Sequence, residues 1–84
     1  MEKDHESEVK KLKRKIQRLK EDLKVMDEVM KKIDSLRDEA IAHQQYKKED
    51  IYRKLLRVLN VWKAMKEVAI EEKEQELRQL QQQK

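Results

Sequence analysis

The sequence predicts an all-α protein in which two long helices fold into an antiparallel coiled-coil hairpin. Two observations predict helices with few turns: the 84 residues include no glycine and no proline, and the apolar residues recur at helical spacing. Tight turns depend on glycine and proline, so a chain without either has few of them. A third observation, the polar stretch AHQQYKKED at 42–50, predicts where the chain reverses. We expect such hairpins to dimerise into a four-helix bundle.

Composition limits the size of the fold and its surroundings. The 84 residues predict a single helical coiled-coil domain over 1–84, which is too small to bury much apolar surface alone. There is no cysteine for a disulfide framework, and no apolar run approaches the roughly 18 residues that cross a membrane. We therefore expect a soluble intracellular protein, in the cytoplasm or nucleus, that associates with copies of itself or with a helical partner.

The first helix is predicted over about 7–44, where apolar residues alternate in steps of three and four. This spacing draws one apolar stripe along a helix and is typical of a coiled coil. The stripe, called the N-terminal seam, consists of Val9, Leu12, Ile16, Leu19, Leu23, Met26, Met30 and Ile33. Beyond Ile33 the seam loses definition, because the same frame would place Arg37 and Gln44 in it.

The second helix is predicted over about 49–82, with Asp50 as a candidate N-cap. Its apolar stripe is wider than a two-position seam, and a stripe of this width is typical of a bundle helix with more than one neighbour. Trp62 is interpreted as a core residue, with a partner-binding anchor as the alternative. The predicted self-association or partner-docking face, called the broad apolar block, consists of Ile51, Leu55, Val58, Leu59, Trp62, Met65, Val68 and Ala69.

The turn is predicted over about 45–48, although the stretch offers no glycine or asparagine to end a helix. Folding there brings Ile33 level with Leu59, and it places the basic stretch 10–20 beside acidic residues at 72–76. Two alternatives stay open: one long continuous helix in a coiled coil, and a break at 34–35. A parallel pair of continuous helices is disfavoured, because Lys15 would face Lys20 of its partner.

No set of catalytic, cofactor-binding or metal-binding residues is recognised in the sequence. Glu39 and His43 share a helix face, but metal sites in helical bundles combine a Glu-x-x-His spacing with further glutamates. A phosphate-binding loop requires glycines, which are absent. We therefore predict a protein that is not an enzyme and that uses no cofactor and no small-molecule substrate.

The predicted function is that of a coiled-coil oligomerisation or assembly module, a scaffold in which a homodimer is favoured. The alternative is weak, salt-sensitive nucleic-acid binding through the basic stretch 10–20, with Lys10, Lys11, Lys13 and Arg14 as contacts. A helix that reads DNA normally turns polar residues toward the groove, whereas this stretch carries apolar seam residues. Membrane binding is not expected, since helix packing explains the amphipathic pattern better.

Overall fold

A computed structural model describes residues 2–83, with side chains from residue 5 onward. It contains two α-helices, α1 (Glu2–Ala42) and α2 (Tyr46–Gln82), which pack against each other as a hairpin. The hairpin measures 63 × 15 × 13 Å, whereas one helix of 84 residues would extend about 125 Å. The prediction of an all-helical hairpin is confirmed, and the alternatives of a continuous helix and of a break at 34–35 are wrong.

The chain reverses at 43–45, slightly before the predicted span of 45–48. Gln44 has a φ of 58°, in the left-handed region. Its N–H donates to the carbonyl of Ile41 at 3.1 Å, and the N–H of Gln45 donates to that of Ala40 at 2.8 Å. These two hydrogen bonds form a Schellman motif, which usually has glycine at the left-handed position. Glutamine there costs about 1–2 kcal/mol in backbone strain.

The start of α2 differs from the prediction for Asp50. The N-cap residue is Gln45, and it makes no side-chain capping hydrogen bond. The helix begins immediately after the Schellman turn, so Asp50 lies more than one turn inside it. There Asp50 forms ion pairs with Arg53 at 3.2 Å and with Lys54 at 2.9 Å. Glu49 in the first turn complements the positive end of the helix dipole.

On α1, the surface that α2 covers follows the heptad pattern. The eight residues of the N-terminal seam are all buried or half-buried. The covered stripe continues in the same frame through Arg37 to Ala40, whose exposure is 2%. Arg37 pairs with Asp34 at 2.6 Å, while its Nε is buried without a hydrogen-bond partner among the described residues. The apolar pattern weakens after Ile33 because an arginine occupies a seam position, and the helix itself continues.

On α2, the stripe that faces α1 is distinct from most of the broad apolar block. This stripe, called the α2 seam, consists of Tyr52, Leu56, Leu59, Lys63, Lys66, Ile70, Lys73, Leu77 and Leu80, all buried or half-buried. Three of its positions are lysines. Lys63 reaches Asp27 of α1 at 2.9 Å, and Lys66 reaches Asp22 at 3.4 Å. These two ion pairs connect the helices along the seams.

Candidate association surface

The hairpin has two sides, one on either flank of the seams. On one side, Asp27 of α1 and Arg53 of α2 line a common groove. On the opposite side, Lys15 of α1 and Glu76 of α2 line another groove. Seven residues return a coiled-coil helix to the same side, so each side can be followed along the hairpin in steps of seven.

The side lined by Asp27 and Arg53, called the ionic side, is polar along most of its length. Seven residues before Asp27 lies Lys20, whose Nζ is 3.9 Å from a carboxylate oxygen of Glu74. The predicted proximity of the basic stretch 10–20 to acidic residues of the second helix is realised in this pair. The hydrogen bond that Lys63 donates to Asp27, together with the charge of Asp27, raises the pKa of Lys63.

Close to the turn, Asp50 provides a second example of a group held in its charged state. The hydrogen bond that it accepts from Lys54, reinforced by the charges of Lys54 and Arg53, lowers its pKa below the ordinary value of an aspartate. Both partners lie within one turn along α2. These contacts are exposed to solvent, and they support the first turns of a helix that has no side-chain cap.

The opposite side changes character along its length. Steps of seven from Lys15 lead to Val29 and Leu36 on α1, and steps of seven from Glu76 lead to Trp62 and Leu55 on α2. Adjacent outward positions on both helices add further apolar residues. The resulting surface, called the apolar face, consists of Val25, Val29, Leu36, Ile51, Leu55, Val58, Val61, Trp62, Met65 and Val68. Their exposed fractions range from 41% to 65%.

Most residues of the broad apolar block lie on the apolar face, but two do not. Leu59 is half-buried in the α2 seam, and Ala69 is half-buried at the edge between the two surfaces. Trp62 is 57% exposed in the hairpin, so it lies outside the core of a single chain, and its packing in an association interface stays a prediction. Six residues of the block are exposed: Ile51, Leu55, Val58, Trp62, Met65 and Val68.

The prediction missed Val61 and the part of the apolar face that α1 contributes. Val25, Val29 and Leu36 lie outside the N-terminal seam, separated by four and then seven residues. That spacing is itself a coiled-coil signal, although Lys32 interrupts it. A second stripe on the first helix was therefore present in the sequence beside the stronger one.

The most informative feature of α2 is that it carries two heptad stripes offset by one residue. Positions 52, 56, 59, 63, 66 and 70 face α1, and positions 51, 55, 58, 62, 65 and 69 form the next stripe around the helix. One residue corresponds to about 100° around an α-helix, so the two stripes point at roughly a right angle. A helix in a four-helix bundle has two neighbours in such an arrangement.

The basic stretch 10–20 lies in the open half of the hairpin, away from the turn. Lys10, Lys11, Lys13 and Arg14 are all exposed on α1. Between them, Leu12 and Ile16 are buried in the N-terminal seam. Leu12 lines the same groove as Leu80 of α2. The seam side of the stretch is thus occupied by α2, and its cations project from the remaining sides.

The hairpin exposes more surface than a compact protein of its mass. Its accessible surface is 7204 Å², whereas a monomeric globular protein of 10.3 kDa exposes about 5,400 Å². Its radius of gyration of 18.9 Å likewise exceeds the roughly 12 Å of a compact domain of this length. Two helices in contact along one stripe leave most of their circumference to solvent, and the apolar face is part of that surface.

Within the described residues, no three His, Cys, Asp or Glu side chains come together as a metal-binding group. Over the residues that the structure describes, neither α1 nor α2 is both long and apolar enough to span a bilayer. Comparison of the chain with protein-family models, with curated proteins and with solved structures finds no match in any of the three.

Proposed function

We propose that this chain is a helical assembly module that associates with a second copy of itself through the apolar face. The observation that carries the proposal is the uneven distribution of exposed apolar side chains. Ten large ones, between 41% and 65% exposed, lie on one side of the hairpin and its adjoining outer surface. Contiguous exposed apolar surface is uncommon on soluble monomers and marks sites of association.

Burial of this surface supplies the free energy of association. Complete burial of a Val, Leu, Ile or Met side chain contributes about 1.5–3 kcal/mol, so covering the exposed half of each contributes about 1 kcal/mol. Association costs about 4–15 kcal/mol in lost translational and rotational freedom. Ten residues from each of two copies exceed that cost, whereas a single partner helix would cover only part of the face. A second copy presents an equal apolar surface, and both are covered at once.

The test is the molar mass of the protein in solution, measured by light scattering across a concentration series. We expect the wild-type chain to have twice its monomer mass of 10.3 kDa at micromolar concentration. The double variant Val58→Glu/Met65→Glu places two charges on the apolar face, and we expect its dissociation constant to rise at least 100-fold. Val58 and Met65 make this change selective, because both are exposed in the hairpin.

The matched control is Asn60→Glu/Ala64→Glu, which adds two glutamates to the same part of α2 but away from the apolar face. Asn60 lines the groove of the ionic side, and Ala64 is exposed beside it. We expect the control to remain a dimer. Replacing Lys10, Lys11, Lys13 and Arg14 together by Gln should also leave the mass unchanged. A wild-type mass of one chain at every concentration would contradict the proposal.

A further inference from the structure

We propose that the two copies associate with their turns at the same end, so that α1 of each copy packs against α2 of the other. This inference rests on the proposed self-association and specifies its geometry. The dimer is then a four-helix bundle about as long as one hairpin, 63 Å, in which every pair of neighbouring helices is antiparallel. Two observations support this orientation over the others.

The first observation is the position of the apolar face along the hairpin. It extends over 25–36 on α1 and 51–68 on α2, which is the half nearer the turn. In the open half, the same side carries exposed charges, among them Lys15 and Glu76. Two fully overlapping hairpins with turns at opposite ends would lay each apolar face on the charged half of the other copy. With the turns together, apolar surface covers apolar surface.

The second observation is the sign of the charges in the open half. On the side of the apolar face, α1 carries Lys15 and Arg18, whereas α2 carries Glu72 and Glu76 at the same levels. With the turns together, α1 of one copy lies beside α2 of the other, so opposite charges become neighbours across the interface. The Lys20–Glu74 pair is the corresponding contact within one chain. Fully overlapping copies with opposed turns would instead place α1 beside α1 and lay Lys15 and Arg18 against the apolar part of the partner's α1.

The second observation also disfavours a staggered pair, in which only the turn halves overlap with the turns opposed. That arrangement covers the apolar faces but leaves the charged open halves uncovered. Lys15 and Glu76 would then have no partner across the interface. With the turns together, each lies beside an opposite charge of the other copy.

The experiment measures one distance between copies at each end of the hairpin. The chain has no cysteine, so Lys47→Cys near the turn and Gln82→Cys near the open end each introduce a unique thiol for a spin label. Both positions are exposed and outside the apolar face. Pulsed electron–electron double resonance on each singly labelled dimer then reports the distance between the two spin labels. Light scattering on the same sample gives its mass.

We expect distances below about 40 Å at both sites, set by the width of a four-helix bundle. Fully overlapping copies with opposed turns would give about 60 Å at both sites, and a staggered pair about 100 Å at the open end. Either result, in a sample of dimer mass, would overturn the orientation and leave self-association intact. A sample of monomer mass without any distance between copies would overturn both proposals.

Discussion

The helices α1 and α2 use their apolar residues differently. In α1, eight apolar residues lie in the N-terminal seam and only a few large ones remain exposed. In α2, apolar residues are divided between the α2 seam and the apolar face, and three seam positions hold lysine. The wider apolar stripe of α2 therefore supplies seven of the ten residues of the apolar face, and α1 supplies three. Substitutions within each stripe test this division of roles.

The largest effect on folding is expected from Ile33→Ala, in the N-terminal seam. Ile33 is only 8% exposed, so its truncation leaves a cavity between the helices. We expect the free energy of unfolding, measured by urea denaturation with circular dichroism, to fall by about 2–5 kcal/mol. Ile41→Ala is the matched control, because Ile41 is 49% exposed and lies outside the seam; it should cost less than about 1 kcal/mol. Equal losses would show that the seam does not hold the hairpin together.

A smaller effect of opposite sign is expected from Lys66→Leu, in the α2 seam. The leucine can bury its side chain against α1, which contributes about 1.5–3 kcal/mol when complete, while the exposed ion pair with Asp22 contributes no more than about 1 kcal/mol. We expect a net gain of about 1 kcal/mol in the same measurement. The side chain of Lys66 is 34% exposed and that of Lys54 is 72% exposed, so Lys54→Leu should change stability little. A loss in Lys66→Leu would mean that lysine is required at this seam position.

The smallest effect concerns the turn that joins the two helices. Gln44→Gly should raise the free energy of unfolding by about 0.5–1 kcal/mol, because glycine adopts the left-handed conformation without strain. The neighbouring change Gln45→Gly is the control, since Gln45 has a φ of −90° and gains nothing from glycine. It should lower stability slightly. The opposite ranking of the two variants would contradict the Schellman geometry.

The N-terminal seam and the hairpin were predictable from the sequence because each depends on one strong pattern. The seam has an uninterrupted heptad spacing, and the hairpin follows from complementary charge along the chain. The position of Gln44 was not predictable, since left-handed backbone is normally signalled by glycine or asparagine. The turn was therefore placed by its polarity, which fixes such a boundary only to within a few residues.

The stripe of α2 that faces α1 was harder to predict. Its two stripes are offset by one residue, and the more apolar of them, with Trp62 and Met65, suggested a packed core. The stripe that packs on α1 contains Lys63 and Lys66, which sequence patterns assign to solvent. Long lysine side chains can cover apolar surface with their methylenes while their amines reach a carboxylate. The correct stripe is identified by the packing of the two helices, in which Lys63 and Lys66 reach Asp27 and Asp22.

The turn at Gln44 also affects whether two chains can exchange helices by domain swapping. No residue between Ala42 and Tyr46 prevents an α-helix from continuing. The backbone strain of the left-handed Gln44 is relieved when the turn straightens into a helix. A straightened chain could form both seams with a second straightened chain, in a domain-swapped dimer that retains every contact between α1 and α2. Glycine at position 44 would favour the closed form. In such an exchange the strained turn would act as the hinge, and the backbone torsion of Gln44 would help to set the balance between closed and exchanged chains.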